Sequence, residues 1–293
     1  MGLHYLQKGR SGLNEKIAII TDSGCDLPLE LAEKYDIRVL PLKVIYPEGE
    51  YSDRVDIQPE EVYRDMPARI PTTSMPSPQE IKNLFEKVRQ EGFTQVLAVH
   101  LSSNLSGTYD TVKMIAKNFE GLVIKTIDTK TLSMASGWMV LEAARNIASG
   151  FSLEKAAENL QNIRPKVHGF YVIETLEYLR RGGRIGAVAS MLGQFLHLKP
   201  IISVDPDGKY FTFCKAKGRR KSIEKLIQIV EDKVKDQQIR LAVLNGGSGS
   251  EFDALVNRLK DLPNIKDFVI SEISPALGVH TGPGLLAICI QEI

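Results

Sequence analysis

Apolar and polar positions along the chain fall into two alternating textures. Residues 16–21, 38–45, 95–101 and 122–127 are short, nearly continuous apolar runs of strand length, the pattern of strands buried on both faces. Between them apolar residues recur at helical spacing. Ser77-Pro78-Gln79-Glu80 is a capping box with proline at the first helical position, and Ile81, Leu84, Phe85 and Val88 follow on one face. Pro28 suits the first position of a short helix over 29–35. A further helix starts at Ser106 or Gly107 and carries Val112, Ile115 and Ala116, and a longer one covers 133–148. This β-α-β-α order predicts a mostly parallel sheet flanked by helices, with right-handed crossovers.

After about residue 165 the pattern changes. Residues 201–204 and 210–214 flank Asp205-Pro206-Asp207-Gly208, the signature of an antiparallel hairpin. A basic helix over 223–234, a strand over 240–244, a helix over 252–259 and strand-like runs at 268–273 and 285–290 follow. The expected fold is α/β, with a parallel-sheet domain over 16–165 and a smaller α+β domain over 166–293. A length of 293 residues is long for one core and fits that division. Residues 1–15, with their glycine and serine, read as a flexible extension.

Composition narrows the function. Lys+Arg 37 against Asp+Glu 36 leaves almost no net charge and argues against a general nucleic-acid binder. Cys25, Cys214 and Cys289 lack paired spacing, so neither a disulfide framework nor a metal site is expected, and a reducing cytoplasm fits best. The longest apolar runs are strand-sized and too short for a bilayer. Residues 1–15 lack the apolar core of a secretory signal.

The candidate chemistry lies in short hydroxyl- and glycine-rich stretches that follow apolar runs. They are Thr-Asp-Ser-Gly at 21–24, Thr-Thr-Ser-Met-Pro-Ser at 72–77, Leu-Ser-Ser-Asn-Leu-Ser-Gly-Thr-Tyr at 101–109 and Gly-Val-His-Thr-Gly-Pro-Gly at 278–284. Two of them run into amphipathic helices, where unpaired backbone N–H groups favour an anion. Ligands of open parallel sheets sit beyond the carboxyl ends of the strands, where 21–24 and 101–107 lie.

Together with Glu-Tyr-Leu-Arg-Arg-Gly-Gly-Arg-Ile at 177–185, these stretches resemble, in order, the DegV family of bacterial lipid-binding proteins over about residues 16–290. The resemblance implies a fatty acid buried between two α/β domains, its carboxylate held by hydroxyls at the junction. It also implies a non-catalytic carrier that presents the acid to a separate fatty acid kinase subunit for acyl-phosphate formation. No cofactor other than the bound lipid is implied, and transient contact with a membrane surface would suit such a cargo.

On the matching positions, Ser106 and Gly107 are expected to meet the carboxylate, with Thr73 and Ser74 beside them and His280 and Thr281 completing the set. Without the resemblance, Ser106 reads first as an ordinary helix cap, Thr73 and Ser74 as a polar turn, and His280 as a structural histidine in a glycine-rich loop. Ser23, Arg184 and Lys217 are peripheral candidates. Lys217 stands where relatives use an arginine, which keeps a charge and loses the bidentate fork. Asp22 reads as a turn residue, and His100 and His168 as packed or edge histidines; His4 and His197 have no motif. Arg180, Arg181, Lys215, Arg219, Arg220 and Lys221 form a solvated face, a docking surface for the kinase or a counter-charge for an acyl phosphate. Met134, Trp138 and Met139, and Met191, Leu192, Phe195 and Leu196, are core stripes of which a part lines the lipid tail. The competing readings are a serine-dependent hydrolase or acyltransferase with Ser106 as nucleophile and His280 as base, and a phosphosugar or nucleotide module. The chain has neither a Gly-x-Ser-x-Gly elbow nor a phosphate-binding glycine fingerprint.

Overall fold

The buried apolar runs of the first half become parallel strands in the computed structural model, which describes residues 16–194 and 198–293. The first elements are β1 (Ile17–Asp22), α1 (Leu29–Lys34), β2 (Ile37–Leu40), β3 (Lys43–Tyr46), β4 (Gly49–Ser52), α2 (Pro59–Asp65) and β5 (Thr72–Ser74). Next come α3 (Pro78–Gln90), β6 (Gln95–His100), α4 (Thr108–Lys117), β7 (Val123–Asp128), α5 (Ser133–Ala148) and α6 (Leu153–Ile163). The remainder is β8 (Val167–Val172), α7 (Glu177–Arg181), β9 (Ile201–Val204), β10 (Tyr210–Cys214), α8 (Arg219–Asp236), β11 (Ile239–Gly246), α9 (Ser250–Leu259), β12 (Ile265–Glu272), α10 (Pro275–Thr281) and β13 (Leu285–Glu292).

A four-stranded parallel sheet has the order β2-β1-β6-β7. Ile20, Val96 and Ala98 point to one face, under Ile81 and Phe85 of α3 and Val112 of α4. Ile19, Leu97 and Val99 point to the other, where α5 and α6 pack. This period-2 split is what a strand covered on both sides requires. The second sheet has six strands in the order β10-β9-β8-β13-β11-β12, antiparallel except for β11 and β12. Leu226 and Val230 of α8 and Leu255 of α9 cover its outer face.

Helix α5 joins the two sheets. It packs on β1 and β6 at one side and on β8 and β13 at the other, so it is apolar nearly all round. The Trp138 indole N–H donates to the Cys289 carbonyl at 3.0 Å, fixing α5 to the middle of the six-stranded sheet.

Several sequence expectations need correction. The run 38–45 is two strands in different sheets, because Pro41 has no N–H to continue a ladder. β3 pairs with β4 and β5 in a small antiparallel sheet. Pro28 caps α1 from outside, and Thr108 follows the cap Gly107 as the first residue of α4. Strand β8, near the centre of the six-stranded sheet, and α6 are elements the apolar pattern did not single out.

The predicted hairpin forms as β9–β10, and its tip clasps the other sheet. Ser102 Oγ donates to the Gly208 carbonyl at 2.8 Å, and Asn104 Nδ2 to the Asp207 carbonyl at 2.6 Å. Gly208 has φ +86, a conformation open to glycine at no steric cost. The clasp holds the loop that leads into Ser106.

Candidate functional site

A cavity of about 270 Å³ lies at this seam. Its polar wall brings together Thr73, Ser74, Ser106, Gly107, Arg184 and His280, residues from opposite ends of the chain. Its apolar wall includes Leu101, Leu105, Leu132, Tyr210 and Leu277. Leu132, Tyr210 and Leu277 also border a deeper pocket of about 20 Å³, where Tyr171, Ile173, Ile202 and Leu285 form an almost wholly apolar end. On the polar side an outer cleft of about 380 Å³ shares Thr73, Arg184 and His280 with the cavity and adds Thr72, Tyr178 and Arg181. The arrangement is polar at the mouth and greasy inside.

Thr73 enters from β5, whose pairing with β3 sets Thr73 opposite Val44. His280 comes from α10, a correction to the glycine-rich loop expected there. Pro275 opens the helix, and two buried carboxylates hold its start. Asp26 accepts from the Ser274 N–H at 2.8 Å and Asp53 from the Ala276 N–H at 3.1 Å. Asp26 also accepts from Ser133 Oγ at 2.5 Å and lies 3.6 Å from the Arg54 guanidinium. Burial pushes the Asp26 carboxyl up to about 6, although Arg54 and Ser133 pull it down. Burial likewise raises Asp53.

Thr73 Oγ1 and His280 Nε2 lie 2.7 Å apart. Nδ1 of His280 is buried without a partner and faces the backbone of Gly182, where a Cβ would overlap it. Gly182, in the 177–185 stretch, is therefore accounted for by imidazole packing. Burial, then the nearby Arg184 charge, lowers His280 to about 4, so the ring is neutral at physiological pH. Arg184 is fixed by donating to the Gly182 carbonyl at 2.5 Å and the Leu105 carbonyl at 3.3 Å. It supplies positive charge at the mouth.

Ser106 Oγ lies 2.9 Å from Thr108 Oγ1 and accepts from the Thr108 N–H at 3.3 Å. Ser106, just before the cap Gly107, thus both accepts from the first N–H of α4 and lines the cavity. Thr281 borders the deeper pocket, and its hydroxyl donates to the Leu277 carbonyl at 3.2 Å. That places it behind the polar wall, apart from the other hydroxyls.

Several candidates fall elsewhere. Ser23 is buried outside the cavity, donating to Asp53 at 2.5 Å and accepting from the Leu42 N–H at 2.9 Å, so its role is to tie loops together. Lys217 lies on a shallow depression with Lys215, Lys221 and Lys225, away from the cavity. Arg180 pairs with Glu177, as does Arg181 at the edge of the outer cleft, and Arg219 pairs with Glu251 and Glu174. Met134, Trp138 and Met139 are core, Met191 is buried and Leu192 is exposed; none of them lines the cavity. Phe195, Leu196, His197, His4 and the extension 1–15 lie outside the described residues. Asp22 accepts from the Gly24 N–H as a turn residue should, and from buried His100 at 2.9 Å; His168 sits 3.3 Å from Glu292. Met75, Leu105, Tyr210 and Leu277 were missed, since an apolar residue gives no local sign that it faces a cavity and not a core.

The hydrolase reading needs Ser106 against His280, and the structure separates their bonds. His280 Nε2 is engaged by Thr73, Ser106 by Thr108, and no carboxylate orients Nδ1. Among the described residues no group of three or more His, Cys, Asp or Glu side chains is placed to hold a metal ion. None of the described helices is long and apolar enough to cross a membrane.

Comparison with known proteins adds three findings. A family model described as "Uncharacterised protein, DegV family" matches residues 16–292. A DegV domain-containing protein of Clostridium acetobutylicum is 42% identical over 276 residues, covering 94% of this chain and 99% of its own. Two solved structures share the fold: a fatty-acid-binding DegV family protein from Thermus thermophilus, and DegV, a fatty acid binding protein from Bacillus subtilis. The first has TM-score 0.87 and 30% identity, covering 94% of this chain and 99% of its own. The second has TM-score 0.88 and 27% identity, covering 96% and 100%.

Proposed function

The chain belongs to the DegV family, and from that premise we propose that it binds a long-chain fatty acid at the seam between its two larger sheets. The observation that carries this reading is the polarity gradient of the cavity, from Thr73, Ser106, Arg184 and His280 at the mouth to Ile173, Ile202 and Leu285 inside. The carboxylate sits at the mouth against the Thr73 and Ser106 hydroxyls, the Arg184 charge and the Gly107 backbone. The tail runs inward past Leu132 and Leu277. Each buried methylene contributes about 0.8 kcal/mol, so the tail dominates affinity while the head fixes register.

The same geometry supports a carrier with no chemistry of its own. A neutral histidine sealed at Nδ1 and a serine held by its neighbour bind an anion and do not activate a nucleophile. The outer cleft leaves the head within reach from outside, which suits presentation of the acid to a cytoplasmic fatty acid kinase subunit and retention of the acyl phosphate.

Extraction of the purified protein with organic solvent, followed by mass spectrometry, tests the ligand. A fatty acid in the extract is expected; an empty extract together with no binding of added oleate would remove the reading. Mixing the loaded protein with ATP and a kinase subunit, then trapping with hydroxylamine, tests the partnership through acyl hydroxamate formation.

A further inference from the structure

Beside the outer cleft, the cavity wall is thin at Met75. Among the described lining residues only Met75 and Gly107 are exposed; the others are buried or half-buried. Met75 is 41% exposed and stretches from the end of β5 to the first turns of α4. Its sulfur accepts from the Thr111 hydroxyl at 3.1 Å and lies against Gly107, 3.0 Å from where a Cβ would stand. One side chain therefore bridges the gap between the small antiparallel sheet and the helix that starts after Ser106.

The backbone on either side of Met75 is stiff. Ser74 pairs with Lys43 in the sheet. Pro76 follows, which restricts the residue before it to extended geometry. Ser77 then caps α3 reciprocally with Glu80, and Glu80 pairs with Lys43 at 2.5 Å. A rigid backbone carrying an unbranched, three-torsion side chain moves at the side chain. What holds that side chain across the gap is weak, since a thioether is a poor acceptor.

We propose that Met75 is a swinging bar over the cavity mouth, through which the fatty acid enters and leaves while the backbone of both sheets stays in place. This rests on the fatty-acid reading of the cavity. A bar scales entry and exit by the fraction of time it stands clear, and so changes rates more than affinity. Met is suited to the task because its unbranched thioether can rest on Gly107 across the gap and swing aside without backbone movement.

Stopped-flow fluorescence with cis-parinaric acid tests the bar on the full chain. Met75→Ala should raise the association and dissociation rate constants together, each by about fivefold, with Kd changing by a smaller factor than either rate. Thr111→Val, which removes the hydrogen bond and keeps Met75, should move both rates the same way by a smaller factor. Unchanged rates in both variants would overturn the bar, as would a faster dissociation matched by an equal loss of affinity, the mark of a simple contact. Failure of the wild-type protein to bind parinarate at all would overturn the fatty-acid reading with it, whereas wild-type binding with unchanged variant rates overturns the bar alone.

Discussion

Thr73 Oγ1 and His280 Nε2 meet at 2.7 Å although 207 positions separate them in the chain. A neutral imidazole carries one N–H. When it sits on Nε2 it donates to Thr73 Oγ1 and leaves the threonine hydroxyl proton to point at an anion. In the other tautomer Thr73 spends its proton on the histidine and turns lone pairs toward the cavity, which a carboxylate repels. An anion bound at Thr73 would therefore select the Nε2–H form.

The two residues should act as a unit. Thr73→Val and His280→Ala are each expected to weaken fatty-acid binding, and the double variant to lose less than the sum by about 1–2 kcal/mol. Competition titration with a fluorescent fatty acid measures this, and strictly additive losses would separate the histidine from the head site.

Ser106→Ala should weaken fatty-acid binding by about 1–3 kcal/mol, the usual cost of removing a hydrogen-bond partner from a charged group. The same titration reads it out. An unchanged Kd would leave Ser106 as a helix cap alone.

Asp26 and His280 give stability two opposite pH dependences. Asp26 titrates near 6 in the fold, above its ordinary value, so the native state holds the extra proton between the two. Its stabilisation is present at low pH and is lost as pH rises through about 6. His280 titrates near 4, below its ordinary value, so its contribution is present above the ordinary histidine range and is lost as pH falls toward 4. Urea denaturation from pH 4 to 7 should show Asp26→Asn gaining on the wild type as pH rises, by on the order of 3 kcal/mol. His280→Gln should gain on the wild type as pH falls. Parallel curves for all three proteins would contradict both assignments.

The deeper pocket should set chain length. Ile202 is buried on β9 and borders that pocket, so Ile202→Phe places added volume where the last methylenes go. Each excluded methylene forfeits about 0.8 kcal/mol, and stearate should lose more affinity than laurate. Equal losses for the two acids would place the tail elsewhere.

Elements governed by local chemistry were legible in the sequence. The Ser77 capping box, the 133–148 helix and the Asp205–Gly208 hairpin rest on propensity and turn residues within a few positions, and they appear where expected. The segment around His280 misled because its glycines resemble a loop. Gly278 is helical, and the Tyr63 ring of α2 lies 3.0 Å from where a Cβ would stand, a contact between residues far apart in sequence. The polar wall of the cavity was legible where hydroxyls stand in ordered motifs. Leu277, Tyr210 and Met75 were hidden, because the face an apolar side chain turns to a cavity is set by the packing of two sheets and leaves no trace in the local pattern. Ser23 misled for the converse reason: a hydroxyl at a strand end serves equally well to satisfy a buried carboxylate such as Asp53.

The single tryptophan of the chain, at 138, is fully buried and bonded across the seam to Cys289. Its emission is therefore an optical gauge placed by the fold itself. Blue-shifted light reports α5 seated on the six-stranded sheet, and any event that draws the two apart must move the spectrum to the red, with no dye attached and no residue changed.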